Sequence, residues 1–108
     1  MSEANLSALS AMGVAQQVSA DNIANVNTDG FHASSAAYET GPEGMGVRLA
    51  DIRESTAPGP FVDGAEGSNT DIATEMVDMI VTGHGFSANV AAIRVGEEMT
   101  GHLLDMIA

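Results

Sequence analysis

The sequence predicts a mainly α protein: two long terminal helices forming an antiparallel coiled coil, with a small β-hairpin and irregular region between them. Three observations carry this. Apolar residues recur at alternating spacings of three and four in both end segments. The turn-forming stretches Asn27-Thr28-Asp29-Gly30 and Gly41-Pro42-Glu43-Gly44, and a Gly- and Pro-rich stretch over 55–68, fall between those segments. The second periodic stretch runs for roughly 37 residues, or about 55 Å at 1.5 Å per residue. A compact globule of this size has a radius of gyration of only about 13 Å and cannot wrap such a helix, so the molecule should be elongated.

The elements follow in order. Leu6, Leu9, Gly13, Gln16, Ala20 and Ile23 mark the seam of a helix over residues 3–27. Ser2 is the candidate N-cap, and Glu3 sits in the first turn at the positive end of the dipole. Ala8, Ala11, Met12, Ala15 and Val18 add a second, thinner apolar strip. A face this wide suits a helix with more than one neighbour, and equally a core helix of a small bundle. Asn27 to Gly30 ends the helix in a turn, because Asn, Asp and Gly tolerate left-handed backbone. Phe31–Tyr38 alternates weakly, and Gly46–Arg53 puts Val47 and Leu49 on one face with Arg48 on the other. These two strands form one hairpin, which needs a surface to lie on. Residues 55–68, rich in Gly and Pro, read as a linker or surface loop.

In the last segment Ser68, Asn69, Thr70 and Asp71 supply N-cap chemistry, with Asp71 and Glu75 placing negative charge at the helix start. Ile72, Met76, Met79, Gly83, Phe86, Val90 and Ile93 then follow spacings of four and three. The frame slips by one residue before Met99, Leu103 and Met106 resume it. Gly83, Gly85, Gly96 and Gly101 interrupt this helix, each at a cost of roughly 0.5–1 kcal/mol. Full formation is therefore expected when it packs against others. The domain organisation is a helix and turn over 1–30, a short β/loop segment over 31–67 and a helix over 68–108, as one structural unit.

Composition excludes several classes. Of 108 residues 15 are acidic and three basic (Arg48, Arg53, Arg94), for a net charge of -12. Such a chain has no electrostatic footprint for nucleic acid and is repelled by anionic membranes. With no cysteine it has no disulfide or thiolate chemistry. No apolar run is long enough to span a membrane, and the N-terminus lacks the basic n-region of a cleaved signal. With 44% hydrophobic residues but only Phe31, Phe61, Phe86 and Tyr38 as aromatics, bulky core anchors are few. A single copy is marginal.

Catalytic, metal and cofactor constellations are not expected. His32, His84 and His102 lie in three segments with no metal-ligand spacing. Glu97 and Glu98 are adjacent and point to different helix faces. Asp71, Glu75 and Asp78 read as a solvated face, and residues 63–71 lack the EF-hand pattern. Gly44-Met45-Gly46 is no phosphate loop, and Ser34-Ser35 has no readable His and Asp partners.

Two stretches resemble the flagellar axial family of bacterial rod and hook proteins. One is Ala8–Met12 continuing to Ser19-Ala20-Asp21-Asn22-Ile23-Ala24-Asn25-Val26-Asn27-Thr28-Asp29-Gly30-Phe31, similar to the N-terminal signature of that family. The other is Glu66–Ile72 with Glu75-Met76-Val77-Asp78-Met79-Ile80, Gly85-Phe86-Ser87-Ala88-Asn89, Glu98-Met99 and Leu103-Leu104, similar to its C-terminal signature. Gly46–Arg53 resembles the strand that follows the first signature. Two departures stand out. Gly83-His84-Gly85 replaces the usual Gln-Arg before the aromatic, and the stretch from Phe61 to Glu66 is very short, which makes this a minimal member.

The resemblance implies a non-enzymatic structural subunit of the flagellar basal-body rod, or of a rod-like axial element, whose terminal helices assemble into a helical tube. Its partners would be copies of itself, other axial rod or hook proteins and the flagellar export apparatus. It would occupy the periplasm-spanning rod after type III export without a cleaved signal. It also implies that Leu6, Leu9, Ile23 and Val26 pack on Ile72, Met76, Met79, Phe86, Val90 and Ile93, with Met99, Leu103 and Met106 extending the assembly face. Gly30 and Phe31 would form the turn. Asn22, Asn25 and Asn27 would bond neighbouring subunits, although local capping serves Asn27 equally well. The competing reading is an acidic helical adaptor or export chaperone that holds a partner's amphipathic helix in a groove.

Overall fold

The computed structural model describes residues 3–107. Helix α1 (Glu3–Ala24) is followed by β1 (Ser34–Thr40), a short 3-10 turn (Pro42–Gly44), β2 (Val47–Glu54), β3 (Phe61–Val62), β4 (Ala65–Glu66) and helix α2 (Ile72–Ile107). Two long terminal helices in contact, with small antiparallel sheets between them, are the expected class. The molecule measures 74 × 26 × 13 Å, with a radius of gyration of 19.0 Å. Ser2, the expected N-cap, lies outside the described residues.

α1 stops at Ala24, before the expected Asn27. The Asn25 side chain donates to Asp21 O at 2.9 Å, and from there the backbone shifts to tighter bonds, Val26 N to Ile23 O and Thr28 N to Asn25 O. A side-chain amide that bonds nearby carbonyls competes with the helical ladder. α2 starts where Asp71 Oδ1 accepts from Ala73 N at 3.0 Å and Thr74 N at 3.3 Å. Those are N-terminal N–H groups that no helical carbonyl reaches. α2 then runs unbroken for 36 residues through all four glycines.

β1 and β2 pair antiparallel from Ser34–Glu54 to Thr40–Val47, with an irregularity between Ala37 and Tyr38. β1 begins later than expected because Phe31 O and Ala33 N pair with Asn69. Asn69 N donates to Phe31 O at 3.0 Å, and Ala33 N donates to Asn69 Oδ1 at 2.6 Å. The hairpin lies along α1. Its base meets Asn22, and at its tip Val47 N donates to Ser7 Oγ at 3.2 Å. Gly46, at φ +71°, presses so close to α1 that a Cβ there would strike Ser7 Oγ.

The stretch 55–68 is not a free linker. Asp63 and Gly64, with φ of 52° and 80°, form the two-residue turn between β3 and β4. Gly67 N to Pro60 O at 2.7 Å and Gly30 N to Glu66 O at 2.8 Å fasten the loop to the end of α1.

The interior is small and polar. Among the described residues Ala11 is the buried apolar side chain, and Ser19, Asn22, Ser68 and Glu75 are the buried polar ones. The accessible surface is 7281 Å². Folded monomers of this mass expose about 5,600 Å², so about 1,700 Å² more than usual remains uncovered.

Candidate assembly surface

The two helices meet through polar and small side chains. Asn22, 1% exposed, joins three elements. Its Nδ2 donates to Ser34 O at 2.7 Å and to the Glu75 carboxylate oxygens at 2.9 and 3.0 Å. Its Oδ1 accepts from Ser34 N at 2.9 Å. Glu75 is itself 7% exposed, and no basic side chain of the described residues reaches it. The Asn22 amide is therefore what satisfies this carboxylate, and Glu75 is not on the solvated face expected for it.

One turn or two toward the start of α1, Gln16 Nε2 donates to Met79 O at 3.0 Å beside Gly83, while its buried Oε1 has no partner. Further on, Met12 lies over Gly85, where an added Cβ would come within 3.0 Å of its Cε. Asn89 Nδ2 points at Met12 Sδ from 3.8 Å and donates to Gly85 O at 2.9 Å. Two of the helix-interrupting glycines thus let α1 approach the α2 backbone.

These contacts fix an antiparallel register: 22 with 75, 16 with 79 and 83, 12 with 85 and 89. Continued to Glu3, the register ends near residue 94–98 of α2. About ten C-terminal residues of α2, or about 15 Å, have no α1 opposite them.

The side chains expected at the packing surface fall into two sets. Leu9, Ile23, Val26, Met79 and Ile93 are half-buried. Leu6, Ile72, Met76, Phe86 and Val90 remain exposed, as do Met99, Leu103 and Met106 on the unopposed end. The closest resolved contacts use both strips of α1: Gln16 of the expected seam, and Met12 of the thinner strip, with Asn22 beyond it. Of the turn residues, Asn25 accepts from Thr28 Oγ1 at 3.0 Å, Asn27 is exposed, Gly30 takes φ +73° and Phe31 is half-buried. The Asn22 amide makes its hydrogen bonds inside its own chain, to Ser34 and Glu75.

Tyr38, missed by the sequence reading, lies over the trough between the helices. Its hydroxyl pKa is raised by desolvation. It helps to line an open apolar cavity of about 420 Å³ with Ala8, Ala11, Met12, Val81 and Gly85. His32 Nδ1 donates to Ser55 O at 2.7 Å, since a carbonyl only accepts, and its Nε2 lies 3.4 Å from Glu66 Oε1. Arg48 pairs with Glu39 on the exposed hairpin, a contact of small energetic weight. Among the described residues no group of three or more His, Cys, Asp or Glu is placed to hold a metal. No described helix is long and apolar enough to cross a membrane.

The described residues thus form a weakly buried pair of antiparallel terminal helices with many apolar side chains facing outward. Comparison with known families agrees in both end segments. Residues 3–32 match the family described as flagella basal body rod protein, and residues 64–106 match flagellar basal body rod FlgEFG protein C-terminal. The chain belongs to the flagellar basal body rod family. That family is structural and non-enzymatic. No curated protein matches the chain.

Proposed function

We propose that this protein is a structural subunit of the flagellar basal-body rod, or of a rod-like axial element, and assembles through its terminal helices into a helical tube. The observation that carries this is the apolar surface left open on the paired helices. Leu6, Ile72, Met76, Phe86, Val90, Met99, Leu103 and Met106 are exposed although they lie in the two segments that match the rod family. Neighbouring copies and other axial proteins supply the missing burial, at about 25 cal/mol per Å² of apolar surface covered. Leu9, Ile23, Val26, Met79 and Ile93, half-buried in one chain, complete their burial in the tube. The proposed location is the periplasm-spanning rod, reached through the flagellar export apparatus.

Sedimentation and electron microscopy of the purified protein test this reading. The full chain should pellet as elongated assemblies in physiological salt. A variant lacking residues 99–108 should stay in the supernatant while keeping its helical circular dichroism. Equal assembly by the truncated chain, or a full chain that remains monomeric in every condition, would overturn it.

A further inference from the structure

The carboxylates are unevenly placed. The chain has 15, yet none falls between residues 4 and 20 or between residues 79 and 96. The helix register lays these two stretches against each other, Met12 on Gly85 and Gln16 on Met79 and Gly83. On a chain of charge -12 the helix pair itself therefore has a middle band without carboxylates, bordered by the hairpin, whose Glu39 pairs with Arg48. Two copies that meet at this band face less like-charge repulsion than at the acidic ends of the helices.

The apolar cavity of about 420 Å³ opens inside that band. Its floor is small, Ala8, Ala11 and Gly85, so it is a recess and not a filled surface. The unopposed end of α2 has the reverse shape. Leu103, Leu104 and Ile107 are 61%, 58% and 80% exposed. At about 100° per residue they share one helix face, and Asp105 points away from it. Nothing in the α1 of the same chain can cover them. The uncovered excess of about 1,700 Å² on one copy is about twice what one partner contributes to a standard interface, enough for one cavity face and one end face per copy.

Building on the assembly reading above, we propose that the C-terminal end of α2 from one copy docks through Leu103, Leu104 and Ile107 into the cavity beside Met12 and Tyr38 of the next copy. The contact joins an end to a middle, so it is heterologous and leaves a free cavity and a free end on every growing chain. Such a contact extends without closing unless the rotation completes a ring.

The absence of cysteine allows a clean test in the full chain. Val81→Cys marks the cavity rim and Leu104→Cys the docking end. Oxidation of the two single variants mixed together should give a crosslinked heterodimer, and the double variant should give a ladder of oligomers. Each single variant alone should stay uncrosslinked. Crosslinking of Val81→Cys with itself would show face-to-face pairing and overturn the proposal, as would end-to-end crosslinking of Leu104→Cys alone. If the wild type assembles but no 81–104 crosslink forms, the docking contact falls and the rod reading stands. If the wild type never associates, both fall. Independently, Ala8→Trp plugs the recess. It should raise the concentration needed for assembly about tenfold to a hundredfold with an unchanged helical spectrum, and unchanged assembly would refute the docking.

Discussion

Replacing Asn22 by alanine should be the most damaging single change to the isolated chain. It removes both bonds to the Ser34 backbone, at 2.7 and 2.9 Å, and the amide donor to the Glu75 carboxylate. A hydrogen bond to a charged group contributes about 1.5–3 kcal/mol, and a neutral one about 0.5–1.5 kcal/mol. Asn22 and Glu75 are buried, so the carboxylate loses its partner where little solvent reaches it. We expect a loss of about 3 kcal/mol, toward the lower end of what breaking a buried charged contact costs. In a domain of this size that lowers the melting temperature by roughly 12–24 °C. Urea titration followed by far-ultraviolet circular dichroism reads it directly as a shift in midpoint. Glu75→Gln keeps an acceptor for Asn22 and should cost much less. With Gln at position 75 the Asn22→Ala penalty should shrink, since a neutral amide tolerates burial better than a carboxylate. An Asn22→Ala variant within about 0.5 kcal/mol of wild type would show that the amide does not hold the helices and hairpin together.

Four further outcomes are expected. Asp71→Ala removes the acceptor for Ala73 N and Thr74 N and should destabilise by about 1 kcal/mol in the same urea titration. Burial raises the Tyr38 pKa above its ordinary 10.0, so the neutral ring is favoured in the folded chain. Stability should be unaffected below that value and should fall as pH rises from it through the folded pKa. Tyr38→Phe should lose that part of the alkaline sensitivity in thermal melts, and an identical decline in both proteins would refute it. Gly96→Ala meets nothing within 4 Å and should stabilise by about 0.5–1 kcal/mol, whereas Gly85→Ala should gain less because its Cβ crowds Met12 at 3.0 Å. Sodium chloride should favour assembly, since salt screens the repulsion between copies of charge -12. Light scattering that declines as salt rises from low levels would contradict this.

Both helices and the main hairpin were legible in the sequence because periodicity and turn chemistry are local. α2 was expected over roughly 37 residues and spans 36. The small hairpin was equally legible and was passed over: Asp63-Gly64 is a strong two-residue turn signal, but the surrounding glycines and prolines made the stretch look like a linker. The seam was harder. Periodicity shows which residues share a face, but not which of two adjacent apolar strips faces the partner. The wider strip through Leu6 and Leu9 has the greater apolar bulk, yet the thinner one, with Ala11 and Met12, leads into the buried Ser19 and Asn22. Glu75 was illegible for a different reason. Its partner lies 53 positions away, and an acidic residue in a first helical turn has a sufficient local explanation in the dipole. Asn69 is legible as part of a helix lead-in, but its bonds to Phe31, Ala33 and Ala57 depend on the return of the chain.

Polar contacts inside and apolar side chains outside invert the usual arrangement, and the inversion has a physical use. Apolar contacts between helices are non-directional, so a seam of leucines tolerates sliding by a turn or a heptad. The Asn22 amide has two hydrogens and one oxygen committed to fixed groups on Ser34 and Glu75, and a slide of either helix would break them. Gln16 adds a second fixed point on the α2 backbone. A few directional bonds thus set the register of α1, α2 and the hairpin, a role in which buried polar groups are well attested. The bulky side chains are then free of that task. Had Leu6, Met76 and Phe86 formed the internal seam, one chain would be more stable alone and would have little apolar surface left to offer a neighbour. Weak cohesion within the subunit and, in the proposed assembly, cohesion between subunits would be two consequences of the same placement.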